Sequence, residues 1–77
     1  MDAFDITLDL GENETTLLII PEIEDKELHE YRVFNGPIYM GKVWPDLDDN
    51  GTFWCTDALL SDEVLYEIGD KIEKHES

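Results

Sequence analysis

Ser61-Asp62-Glu63-Val64-Leu65-Tyr66-Glu67-Ile68-Gly69-Asp70-Lys71-Ile72-Glu73-Lys74-His75 has a different period from everything that precedes it. Val64, Leu65, Ile68 and Ile72 recur at three- and four-residue intervals, so at 100° per residue they share one stripe of a helix. Asp62, Glu63, Glu67, Asp70 and Glu73 face the other way. Ser61 suits the N-cap, Asp62 and Glu63 sit at the positive end of the helix dipole, and Lys71, Lys74 and His75 sit at the negative end. Together these signals predict a helix over about residues 62–75. Gly69 is the exception, because glycine inside a helix costs about 1 kcal/mol relative to alanine. It is either tolerated there or marks a place where the helix backbone lies close against a sheet.

Upstream, the period is two. Phe4, Ile6, Leu8 and Leu10 alternate with Asp5, Thr7 and Asp9, which predicts a strand over 4–10 with one buried and one wet face. Gly11 to Glu14 reads as a turn. Thr15 to Ile20 is aliphatic or β-branched on both faces, as in a central strand, and Pro21 predicts its end. Glu22 to Glu27 reads as a solvated connection.

Leu28 to Phe34 and Ile38 to Trp44 flank Asn35-Gly36, a dipeptide suited to a two-residue hairpin turn. Pro37 has no N–H to close such a turn, which points to a wider loop. In one register Tyr31, Val33, Ile38, Met40 and Trp44 share a face, while Phe34, Tyr39 and Val43 share the other. After a loop over Pro45 to Gly51, Thr52 to Cys55 makes a last short strand. No connection is long enough for a parallel crossover. The expected fold is α+β: one domain, residues 1–77, with an antiparallel meander of four to five strands and one C-terminal amphipathic helix packed on one face.

The ending Trp54-Cys55-Thr56-Asp57, Leu60-Ser61-Asp62-Glu63 and Glu67-Ile68-Gly69-Asp70-Lys71-Ile72-Glu73 resembles small uncharacterised acidic bacterial proteins that finish on a similar "EIG..IE" helix. The resemblance covers about a third of the chain. It implies the helix and no activity.

Twenty Asp and Glu oppose five Lys and Arg among 77 residues, a formal net charge of −15. Such a field opposes direct binding to nucleic acid or to anionic lipid, leaving basic protein surfaces and metal ions as partners. Three Phe, three Tyr, two Trp and the Ile, Leu and Val content supply a core, so disorder is not expected. The carboxylates repel one another, which makes stability sensitive to ionic strength. Cys55 is the single cysteine, consistent with a reducing, cytoplasmic setting. The start of the chain lacks signal-peptide features, and Leu17 to Ile20 is far too short to span a bilayer.

Asp46-Leu47-Asp48-Asp49-Asn50-Gly51 fits the opening of a calcium loop, where alternate oxygen side chains converge on one ion. Asp57 falls at the twelfth position, one methylene short of the usual glutamate. Calcium binding would use Asp46, Asp48, Asn50 and Asp57. No entering helix precedes the motif, and Asp-Asp-Asn-Gly is an ordinary turn, so the turn is the preferred reading.

Catalysis finds little support. Cys55 and Ser61 are the nucleophile candidates and His29 and His75 the bases, but Cys55 suits a small buried group and Ser61 a helix cap. His29 would reach Cys55 only from a neighbouring strand. The spacing of His29, Cys55 and His75 matches no recurrent zinc pattern, and no cofactor is expected.

The expected function is therefore a non-catalytic protein-binding module, a monomer or weak homodimer, that docks onto a basic partner surface. Glu63, Glu67, Asp70 and Glu73 on the outer helix face would steer the encounter, and Tyr39 and Trp54 would supply the desolvated contact. Either Trp44 or Trp54 belongs in the core, and the register decides which. A second expectation is mimicry of DNA by an inhibitor of a nucleic-acid-binding protein, because carboxylates one helical turn apart lie about 5–6 Å from each other. Calcium binding through residues 46–57 is the third.

Overall fold

A computed structural model of the chain describes residues 3–10, 13–23 and 29–76. Among them are five strands, β1 (Phe4–Leu10), β2 (Asn13–Ile23), β3 (His29–Asn35), β4 (Ile38–Asp48) and β5 (Gly51–Thr56), and one helix, α1 (Asp62–Glu76). All neighbouring strands pair antiparallel, in the order β1-β2-β3-β4-β5. This is the expected α+β meander with a C-terminal helix. Gly11, Glu12 and residues 24–28 lie outside the described residues, while Asn13 and Glu14, expected in the turn, and Glu22, expected in the connection, are paired strand residues of β2.

β2 and β4 are longer than their sequences suggest, and both run through a proline. Pro21 pairs with Tyr31 of β3, and Pro45 pairs with Trp54 of β5. Hydrogen bonding alternates along an antiparallel strand, so the missing N–H of Pro21 points toward β1, beyond the last described pair Phe4↔Ile19. The missing N–H of Pro45 points toward β3, beyond Tyr31↔Val43. Each proline thus costs no ladder bond to the strand it pairs with, and no pair to the strand on its other side is formed among the described residues. Neither ends its strand.

The β3–β4 hairpin turns on Gly36-Pro37, one residue later than Asn35-Gly36, with Asn35 opposite Ile38. Gly36 has φ +59°, which suits the first central position of a type II′ turn, and proline's fixed negative φ suits the second. Ile38 faces Asn35 where Pro37 would have lacked a donor. The loop is no wider than two residues.

Further along the same pair the register slips: Phe34 faces Tyr39 but Val33 faces Gly41, leaving Met40 as an extra residue on β4. The bulge reverses the phase of β4. Val43 therefore joins Tyr31 and Val33 in the core, while Trp44 turns outward and Ile38 and Tyr39 are exposed. The expected grouping of Trp44 with Tyr31 is corrected on this account, whereas Met40, partly buried, still packs against the core that holds Tyr31 and Val33. Gly41 carries φ +135°, and a Cβ there would lie 2.6 Å from the Ala58 Cβ, so the bulge needs glycine twice over.

Ile6, Leu8, Leu17, Ile19, Tyr31, Val33, Val43 and Trp54 of the sheet meet Leu65, Ile68 and Ile72 of α1 in one core. The helix starts as its sequence predicts, with the Ser61 Oγ accepting from the Val64 N–H at 3.2 Å. It packs against β1, β4 and β5. Since β1 and β5 are opposite edges of the sheet, the sheet curls so that both reach the same helix. Gly69 is buried with the Trp54 indole directly against it, where any Cβ would enter the ring. It marks the close approach and is no tolerated surface glycine.

Gly69→Ala should therefore lower unfolding stability by about 1–3 kcal/mol despite the better helix propensity of alanine. Urea midpoints followed by tryptophan emission measure it; a midpoint at or above wild type would show the indole is not tightly held.

Candidate functional site

Alternation leaves one face of the sheet without the helix. Its centre holds Leu18 and Ile20 of β2, Phe34 of β3, Trp44 of β4, and Phe53 and Cys55 of β5, each half-buried by its neighbours. Tyr39 is 48% exposed on this face, and its ring lies 5.2 Å from that of Phe34. Beside the aromatic band runs a cross-strand charge network. Glu22 bonds Arg32, and the Lys42 Nζ lies 3.1 Å from Glu30 and 3.5 Å from Glu22. Its two acids and two bases cancel. The Glu30 hydrogen bond, more than the Glu30 and Glu22 charges, holds the Lys42 ammonium above its ordinary range. Around this neutral centre stand Asp5, Asp9 and Glu14 at the β1 side and Asp46, Asp48 and Asp49 at the β4–β5 tip, all exposed.

The helix carboxylates do something else. The Glu67 Oε1 accepts the Asp9 backbone N–H at 3.2 Å, and the Glu73 Oε1 accepts the Trp54 indole N–H at 3.2 Å. Glu76 adds a third such bond, its Oε2 accepting the Tyr31 hydroxyl at 2.8 Å, and His75 stacks on Phe4 with ring centroids 3.7 Å apart. Asp70 pairs with Lys74 at 3.1 Å, and Glu63 is exposed. Glu67 and Glu73 thus fasten the helix to the sheet. Because α1 covers the face opposite Tyr39, the expected binding residues are split between two sides of the molecule.

Trp54 is 9% exposed, so its expected role as an exposed anchor is corrected. It pairs with Pro45 on the core side, whereas Trp44, opposite Cys55, lies on the uncovered face. The register, which the sequence leaves open, thus puts Trp54 in the core and Trp44 on the uncovered face. Tyr66 is 60% exposed on the helix. It falls well off the Val64–Ile72 stripe.

The four expected calcium ligands are not gathered. Asp49 and Asn50 form the two-residue turn of the β4–β5 hairpin, with the Asp48 Oδ1 accepting the Asn50 N–H at 2.7 Å and the Asp46 Oδ1 accepting the Leu47 N–H at 2.8 Å. Asp57 lies past the far end of β5, six residues and roughly 20 Å away at about 3.4 Å per residue. There its Oδ1 accepts the Lys42 N–H at 2.8 Å and closes the bulge region. The twelve-residue spacing folds into a straight hairpin arm instead of a loop around an ion. Among the described residues no three His, Cys, Asp or Glu side chains come together to hold a metal. β4 separates β3 from β5, so His29 is not on a strand neighbouring Cys55.

No helix among the described residues is long and apolar enough to cross a membrane. Compared with known proteins, the chain matches no family model, no curated sequence and no solved structure.

Asp57→Ala should destabilise the fold by about 1 kcal/mol, the worth of one hydrogen bond, equally with and without millimolar calcium. A loss seen only when calcium is present would restore the ion-binding reading. Tyr31 gives a pH test. Burial, then the Glu76 hydrogen bond and charge, hold its phenol well above the ordinary 10.0. The protonated phenol is the form favoured on folding, so its contribution is complete below pH 10.0 and is lost as pH rises beyond it. Tyr31→Phe should accordingly show a shallower loss of stability above that pH than wild type, read from urea midpoints.

Proposed function

We propose that this chain is a small non-catalytic module that docks by its uncovered sheet face onto a basic protein surface. The observation that carries this is the distribution on that face: an aromatic centre of Phe34, Tyr39, Trp44 and Phe53, neutralised locally by Arg32 and Lys42, within margins of exposed carboxylates. An apolar centre that can be desolvated, bordered by polar residues, is the anatomy of a transient interface. The net charge of −15 supplies long-range attraction toward a cationic partner and repulsion between copies, favouring a monomer or weak homodimer. Asp5, Asp9, Glu14, Asp46, Asp48 and Asp49 take over the steering role from the helix carboxylates. Docking is preferred to DNA mimicry because Glu67, Asp70 and Glu73 are each engaged, which breaks up a phosphate-like row on the helix. The single Cys55 suits a reducing compartment such as the cytoplasm.

Capture from host extract on the immobilised chain, followed by association kinetics with the retained protein, tests the proposal. Wild type should retain a basic partner whose on-rate falls roughly tenfold or more with added salt. Tyr39→Ala with Trp44→Ala should abolish retention while Tyr66→Ala on the opposite side leaves it. An on-rate indifferent to salt, or retention by the double variant with its fold intact by circular dichroism, would falsify the docking face.

A further inference from the structure

The two edges of the sheet are built differently. β1 carries Asp5 and Asp9, and one of its outward amides, Asp9 N–H, is taken by the Glu67 carboxylate. Charge on an edge strand and a covered edge amide both discourage the addition of another strand. β5 has no such charge. It reads Gly51-Thr52-Phe53-Trp54-Cys55-Thr56, without a charged residue or a proline, whereas each of β1 to β4 carries two or more charges. Thr, Phe and Trp are also among the residues most at ease in strands.

The direction of its backbone groups follows from the turn. Asp48↔Gly51 closes the two-residue hairpin, so Phe53 and Cys55 exchange hydrogen bonds with Asp46 and Trp44, and the bond from the Asp57 N–H to the Lys42 carbonyl at 3.4 Å continues the same alternation. The N–H and C=O of Thr52, Trp54 and Thr56 therefore point away from β4. Among the described residues no other element bonds these groups. Carboxylates lie near both ends of β5: Asp48 and Asp49 at the hairpin tip, and Asp57 at the other end, where one oxygen is taken by the Lys42 N–H.

We infer that β5 is a strand-addition site for an extended, lysine- or arginine-bearing segment of the partner, whose backbone pairs with Thr52, Trp54 and Thr56 while its cations meet the bracketing carboxylates. Backbone pairing supplies affinity in this mode, and alternate side chains supply selectivity. One face of the added strand would continue the uncovered sheet face beside Phe53 and Cys55. A second copy of this chain would bring the same negative field to the same edge, which is why the occupant is basic. The inference rests on the basic-partner reading and adds the geometry of binding.

The probe is a short synthetic peptide alternating Lys and Val, added to the isotope-labelled full chain while amide hydrogen exchange is followed by NMR. Exchange at Thr52, Trp54 and Thr56 should slow roughly tenfold or more, with Asp5 and Thr7 on the β1 edge unchanged. A Glu-Val peptide and a Lys-Val peptide N-methylated at alternate residues should give no protection. Thr52→Pro, which removes an outward N–H and no ladder bond to β4, should weaken protection at the remaining two amides, with the fold checked by circular dichroism. Binding of the Lys-Val peptide that shifts Phe34, Tyr39 and Trp44 without slowing β5 exchange would overturn strand addition and leave basic docking standing. Protection by the Glu-Val peptide would overturn the basic occupant, as would protection in a dimer of the chain without peptide. No binding by any of the peptides would overturn the site itself.

Discussion

The contact between the Trp54 indole and the α1 backbone at Gly69 sets the arrangement of everything around it. A ring lying where a Cβ would otherwise project lets the helix approach β5 closely enough for Leu65, Ile68 and Ile72 to reach Ile6, Leu8 and Val43. It also draws the β5 edge toward the helix that β1 already touches, which is what curls the sheet. With that curl, one short helix covers a core built on five strands. A bulkier residue at position 69 would lift the helix and separate the two edges together.

Acidity divides along the same boundary. On the helix side, Glu67, Glu73 and Glu76 each accept one donor from the sheet: a backbone amide, an indole N–H and a phenol. Hydrogen bonds to ionised acceptors are the stronger kind. On the other side, Glu22 and Glu30 are offset by Arg32 and Lys42, and the remaining exposed acids of the sheet lie outside the aromatic band. A chain of charge −15 thus keeps repulsion away from both its core and its apolar face.

The helix, its cap, its buried stripe and the alternation of β1 were legible because each rests on local spacing that one sequence contains. The rest depended on which strand lies beside which residue. Pro21 and Pro45 read as strand ends, yet each continues its strand because its missing N–H points away from the partner it pairs with, a fact of register invisible to propensity. Gly36-Pro37 replaced Asn35-Gly36 because the closing donor had to be Ile38. The extra residue at Met40 then inverted the phase of β4, which put Val43 in the core, left Trp54 as the buried tryptophan and added Trp44 to the uncovered face that Phe34 and Tyr39 already share. A single bulge decided which side chains of β4 face outward. Tyr39 kept its exposed position because it precedes that bulge.

Asp46, Asp48, Asn50 and Asp57 illustrate how a motif can be right in spacing and wrong in shape. A calcium loop needs backbone that bends continuously so that alternate oxygens converge. Here a strand six residues long lies between the acidic turn and Asp57, and extended backbone separates what a loop would bring together. The uncharged composition of that strand is the same feature that leaves its edge open to another chain. On the strand-addition reading, charge excluded from β5 and placed near its two ends would make the edge selective by sign without obstructing the backbone groups that would do the pairing, a separation that one uniformly acidic strand could not achieve.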